Sequence, residues 1–195
     1  MHKLSLVFII FLFFGCAKKE STNMMPVGGM KRYFADADFS FVVYGGTAGA
    51  EKVHKKIISK IAYQKPNLII HTGNLVSNPA SEKEWDRFFN TLTPVSDVIS
   101  RYYVAPGQIE TRNIEAVKNH FANMSKLMKD KSYYSFIYKN ALFIVLNPYL
   151  NQDDLYRQQW FYIEVMKHFV LRSSGPVFVF SSKPIYSTGP SGVEQ

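Results

Sequence analysis

The sequence predicts an α/β fold in which two layers of sheet lie between helices, and three observations carry that expectation. Short apolar runs that end in glycine alternate with amphipathic stretches through the first half of the chain. Two apolar runs then flank Lys139-Asn140, the signature of an antiparallel hairpin. A further apolar run follows a long helical stretch near the C-terminus. Strands alternating with helices build parallel pairs and the hairpin adds an antiparallel one, so both sheets are expected to be mixed.

The elements follow in order. Phe39–Tyr44 is an apolar run stopped by Gly45-Gly46, as in a buried strand. Glu51–Gln64 reads as an amphipathic helix, with Val53, Ile57 and Ile61 on its apolar side and Lys52, Lys56 and Lys60 beside them. Asn67–His71 is a second strand. Ser81 and Glu84 have the spacing of a capping box and start a second helix. Arg101–Val104 is a third strand, ended by Pro106-Gly107, and a polar helix is expected over Asn113–Met128. Tyr133–Tyr138 and Ala141–Leu146 form the hairpin, Gln152–Leu171 a long helix, and Pro176–Phe180 a last strand. No internal repeat or low-complexity tract interrupts this order.

At 195 residues, 47% hydrophobic and 15% aromatic, the chain is long and apolar enough for one globular domain. Its formal net charge is +8. Beyond the first few residues the basic side chains are scattered from Lys18 to Lys183, with no basic block interleaved with aromatics, which argues against a nucleic-acid partner.

The single cysteine, Cys16, excludes an intramolecular disulfide. Its setting is informative. Met1-His2-Lys3 is a short positive start, Leu4–Phe14 an apolar run broken only by Ser5, and Gly15-Cys16 precedes the polar Lys18-Lys19-Glu20-Ser21. That is the layout of a secretory signal. The apolar run is too short to span: eleven helical residues rise about 16 Å against a hydrocarbon core of about 30 Å. The segment resembles the lipobox of bacterial lipoproteins, with Phe13 where that family prefers Leu. The resemblance implies that Cys16 is lipidated and becomes the new N-terminus, anchoring the protein to a membrane of the bacterial cell envelope, at the outer membrane or periplasmic face. The other reading is an ordinary signal peptide with a chance cysteine. The expected organisation is therefore a signal over 1–16, a tether over 17–38 containing Pro26 and Gly28-Gly29, and one domain over 39–195.

In α/β sheets, sites form at the carboxyl ends of strands. Here those ends read Tyr44-Gly45-Gly46-Thr47, His71-Thr72-Gly73-Asn74, Ala105-Pro106-Gly107-Gln108-Ile109-Glu110 and Ser181-Ser182-Lys183-Pro184-Ile185-Tyr186. Together with the hairpin from Tyr134-Ser135-Phe136 to Leu146-Asn147 and with Gln159-Trp160, their order resembles the calcineurin-like metallophosphoesterases, in particular the branch containing purple acid phosphatases. The resemblance covers roughly Phe39 to Gly189. It implies an αββα sandwich, hydrolase chemistry and a pair of divalent metals. The family's ligand positions fall on residues that do not suit that chemistry, since two dications need anionic or imidazole ligands. Gly46 stands for the first aspartate, Asn74 for the bridging aspartate, Gln108 for the asparagine, Ile109 for the proton-donating histidine and Ser182 for a later histidine. The family's closing Gly-His-x-His is absent before Gln195, so the sandwich is expected to be incomplete at its C-terminus.

The remaining candidates read more plainly. Asp36 and Asp38 precede the first strand and so lie at its far end; Asp153 and Asp154 open a helix, where carboxylates favour the dipole. His54, His120 and His168 fall on helices with surface or packing roles. His71, at a strand end, is expected to be structural, and His71, Asn74 and Gln108 remain the weak candidates for a relocated metal. Ser182 and Lys183 are adjacent and point to opposite sides of a strand; Tyr186, Ser187 and Thr188 are loop polar groups. Lys52, Lys55, Lys56 and Lys60 lie within about a 140° arc of one helix. They form either a solvated face or a patch resting on anionic lipid.

The resemblance thus implies a membrane-anchored lipoprotein with a degenerate phosphoesterase domain, catalytically inactive, acting as a binding or vestigial module and needing no cofactor. Two alternatives stand beside it. One is a divergent hydrolase with a remodelled metal site. The other is the front half of a split or frameshifted phosphoesterase.

Overall fold

The computed structural model describes residues 39–112 and 132–184. Cys16 with the signal expected over 1–16, the tether expected over 17–38 with Asp36 and Asp38, the helix expected over 113–128 with His120, and Tyr186, Ser187 and Thr188 lie outside the described residues.

Two three-stranded sheets form the frame. In the first, β1 (Phe41–Tyr44), β2 (Leu68–His71) and β3 (Tyr102–Val104) run parallel in that order. The links are α1 (Glu51–Gln64), then α2 (Glu82–Thr91) followed by a kinked 3₁₀ segment over Thr93–Arg101. Central β2 is buried along its whole length, which explains its uninterrupted Leu-Ile-Ile-His run. In the second sheet β4 (Tyr134–Tyr138) pairs antiparallel with β5 (Ala141–Val145), and β5 pairs parallel with β6 (Val177–Phe180). Only this second sheet is mixed. Both links in the first sheet are helical crossovers, which return the chain in the same direction, whereas among the described residues a tight hairpin occurs only between β4 and β5.

Residues alternate across each strand, so each sheet has one face for its partner and one for helices. Aromatic rings fill the space between the sheets. Phe41 of β1 packs on Phe143 of β5 and on Phe178 of β6, with ring centroids 5.4 and 4.9 Å apart. Tyr103 of β3 stacks on Phe136 of β4 at 3.8 Å. On the outer face of the first sheet, Tyr44 and His71 meet His54 of α1 and Phe88 of α2. On the outer face of the second, Leu142, Ile144, Val177 and Val179 pack with Tyr162, Val165, Met166 and Phe169 of α4 (Gln152–Val170). The protein is therefore a mixed α/β domain with helices on both outer faces.

Three local expectations need correction. The buried line of α1 is His54, Ile58 and Ile61, while Val53 is 57% exposed. Val53 lies about 100° round the helix from His54, and His54 turns inward because the hydroxyl of Tyr44 meets its ring. The capping box does not close: Ser81 makes no side-chain cap, and Glu84 accepts instead from the N–H groups of Ser77 and Asn78. Gln108, Ile109 and Glu110 are not open loop, because they begin a short helix, α3 (Gln108–Arg112). At α4 the expectation of a helix start holds, with Asn151 Oδ1 accepting from the N–H of Asp154.

Candidate functional site

Residues at the carboxyl ends of β1, β2 and β3 meet through short backbone contacts, and the end of β6 joins them through the side chain of Ser182. The N–H of Gly46 donates to Gly73 O at 3.0 Å and that of Ala48 to Asn74 O at 2.9 Å, joining the loops after β1 and β2. Gly46, Gly73 and Asn74 all have positive φ, at 68°, 86° and 57°. Gly73 has a second constraint: a Cβ there would lie 2.4 Å from the nitrogen of Gly107, so glycine is needed for the loops after β2 and β3 to touch.

Glu110 fastens this junction. Its fully buried carboxylate accepts from three backbone N–H groups, those of Asn74 and Gly107 on Oε2 and that of Leu75 on Oε1, each at 2.8 Å. One side chain therefore satisfies donors of both loops, which would otherwise be buried and unpaired. It is also the only acidic residue in the four strand-end segments. That singularity was the signal available in the sequence, and a search for metal ligands passes over it.

The positions resembling metal ligands are brought together here, and the polar groups of Asn74 and Ser182 are used internally. Gly46 offers no side chain. Asn74 Oδ1 lies 3.4 Å from the N–H of Ile109, and the hydroxyl of Ser182 donates to Pro106 O at 2.5 Å, tying the end of β6 to that of β3. Gln108 is exposed and Ile109 partly so. Lys183, next to Ser182, is exposed. Among the described residues, no three His, Cys, Asp or Glu side chains gather as a group able to hold a metal ion.

His71 belongs to a different layer. It faces the helices, fully buried, with Tyr44 and Tyr102 at ring-centroid distances of 4.6 and 6.3 Å. Its Nδ1 accepts from the N–H of Gly73 at 3.1 Å. A backbone N–H can only donate, so the ring proton sits on Nε2 and is directed at Thr47 Oγ1, 3.1 Å away. Thr47 in turn donates to Leu75 O at 3.0 Å. Both ring nitrogens are thus committed, and metal ligation by His71 would require breaking one of these bonds. Burial pushes its pKa down to about 3, with His54 adding to the shift.

Beside it runs a chain of hydroxyls that sequence reasoning missed. Tyr102 and Tyr44 share a 2.5 Å hydrogen bond, and Tyr44 continues to His54 Nε2 at 3.1 Å. Burial raises the pKa of both tyrosines and lowers that of His54 to about 4. His54 lines a small cleft of about 150 Å³ with Thr47, Glu51, Glu84 and Arg87. The signal was an apolar helix face with one gap at His54, opposite a tyrosine at the end of β1.

On the far side, Asn147 follows β5, where the resemblance pairs it with the end of the hairpin. Its N–H donates to Gln158 Oε1 at 2.7 Å and its carbonyl accepts from Gln158 Nε2 at 3.1 Å, clamping the strand end to α4. His168 lies on the exposed face of α4, 3.6 Å from Glu164.

No protein-family model matches the sequence, and no curated protein matches it.

Proposed function

We propose that the chain is a lipid-anchored protein of the bacterial cell envelope whose domain is a degenerate relative of the metallophosphoesterases, catalytically inactive and retained as a binding or vestigial module. One observation carries the reading. Where the resemblance calls for metal ligands, Gly46 and Ile109 offer no ligand atom, the side-chain oxygens of Asn74 and Ser182 are turned onto the protein's own backbone, and the one carboxylate nearby, Glu110, is spent on three N–H groups, which leaves only the exposed amide of Gln108. The parallel sheet, the packed second sheet with its hairpin and the outer helices are compatible with an αββα sandwich of that family. In this reading the anchor is Cys16; among the described residues no helix is long and apolar enough to cross a membrane.

Two measurements test it. Metal that binds only the folded state adds about 2.7 kcal/mol of stability at 100-fold over its Kd. Thermal melts with millimolar Mn²⁺, Zn²⁺ or Fe²⁺ are expected to shift little, with no turnover of p-nitrophenyl phosphate. A rise of several degrees that vanishes in His71→Ala would support instead a remodelled metal site built from Gln108, Asn74 and His71, and robust turnover would end the inactive reading. For the anchor, radiolabelled palmitate is expected to enter the wild-type chain and not Cys16→Ser. Equal labelling of both would refute lipidation at Cys16.

A further inference from the structure

We infer that the outward face of α1 is a second membrane contact, which rests on anionic lipid headgroups and fixes the orientation of the domain on the bilayer; the inference depends on the lipid-anchor reading of Cys16. Lys52, Lys56, Lys60 and Tyr63 lie within about an 80° arc of this helix, with Val53 on its flank. All five are exposed, Tyr63 at 83%. Lys65, in the left-handed cap that ends the helix, adds a further charge at the same end. Among the described residues Lys52, Lys56, Lys60 and Lys65 make no ion pair. The one acid on the helix, Glu51, sits on the opposite flank and is held by Lys55 at 2.8 Å and Arg87 at 3.9 Å. Cations with no acidic partner among the described residues, interspersed with an exposed aromatic and an exposed aliphatic side chain, suit an anionic interface better than they suit water alone.

The place where residues 1–38 join the domain supplies the second argument. Ser40 is bracketed by Asn67, donating its N–H to Asn67 Oδ1 at 2.9 Å and accepting from the N–H of Asn67 at 2.9 Å. Asn67 lies two residues beyond Lys65, so the tether meets the domain at the basic end of α1. Residues 17–38 number 22, a length that as a coil would span roughly 25 Å, and the 14-residue helix is about 21 Å long, so in the lipid-anchor reading the chain between Cys16 and the domain is long enough for the lysines of the face to meet the same bilayer. Electrostatic attraction falls off within about 8 Å at physiological salt, so the face acts only when it lies against the headgroups. A fully acylated anchor holds the chain by itself; what the lysines add is orientation.

The test places a nitroxide on that face. With Cys16 acylated, Ser59→Cys supplies the only reactive thiol, on the exposed side of α1, and Gln159→Cys supplies a comparison site on exposed α4. The full lipidated chain is reconstituted into vesicles of phosphatidylcholine alone or with roughly 30 mol % phosphatidylglycerol, and collision with a neutral water-soluble nickel chelate is measured by electron paramagnetic resonance. Accessibility at residue 59 is expected to fall by at least about threefold with the anionic lipid, and to recover in high salt and in the K52E/K56E/K60E variant, whose circular dichroism should match wild type. Residue 159 should stay accessible throughout. Equal accessibility of residue 59 in both vesicles, or loss at residue 159 instead of or together with 59, overturns the oriented contact while leaving the anchor intact. A Cys16 that takes the label, or a chain that washes off the vesicles, overturns the anchor reading and this inference with it.

Discussion

Glu110→Ala is expected to leave the domain unfolded or destabilised by roughly 5 kcal/mol, because hydrogen bonds to a charged group each contribute about 1.5–3 kcal/mol and three are lost together. Their donors, the N–H groups of Asn74, Leu75 and Gly107, would stay enclosed with no acceptor. Domains of this size hold a margin of about 5–15 kcal/mol in all, so the loss is of the order of the whole. Glu110→Gln keeps the volume but replaces one acceptor oxygen with an NH₂ that must face a donor, and about 2–3 kcal/mol should go. Gln108→Ala, at the exposed neighbour, should change stability by less than about 0.5 kcal/mol. Urea unfolding of the three variants reads the ranking directly. A Glu110→Ala domain within about 1 kcal/mol of wild type would show that the junction of the strand-end loops does not depend on this carboxylate.

Regular elements were the most legible part of the chain. Glu51–Gln64 was read with its observed ends, and the β4–β5 turn at Lys139-Asn140 was found because a two-residue break between apolar runs has few other meanings; Lys139 indeed takes φ 52° there. What periodicity could not reveal was which face of α1 turns inward. A helical wheel scores His54 as polar, whereas the fold treats it as a core residue whose one polar need is met by a tyrosine ten residues earlier on β1. Glu110 is the same kind of miss with larger consequences. Acidic residues are searched for as ligands or surface charges, and nothing local says that three N–H groups from two loops will converge on this one. His71 illustrates the reverse: its position at a strand end was legible, but the alternation that points it toward Thr47 and the helices, away from the Gly46–Asn74 side of the loops, is a register fact supplied by pairing with Tyr44 and Val104.

Mild acid should destabilise the fold, and His71 sets the sign. Its pKa is about 6.5 when the chain is unfolded and about 3 in the fold, where burial opposes the charge. Below pH 6.5 the unfolded chain therefore binds a proton that the folded chain refuses, and stability falls as pH falls. The slope approaches about 1.4 kcal/mol per pH unit for this one group, or roughly 2–3 kcal/mol lost by pH 4.5. His54 acts in the same direction down to about pH 4, with a smaller share because it lines a cleft open to water. Urea midpoints measured between pH 7.5 and 4.5 should show this decline. His71→Gln should be less stable than wild type at pH 7.5, having lost the bonds to Gly73 and Thr47, yet its curve should be flatter, so that the two converge in acid. Parallel curves would mean that His71 does not carry the acid sensitivity. The nitrogen chemical shifts of the ring give an independent reading, since Nδ1 must appear unprotonated and Nε2 protonated at neutral pH if the Gly73 N–H is donating. A histidine so fixed holds the end of β2 against the loop after β1, and it does so as a neutral group with no lone pair left to offer.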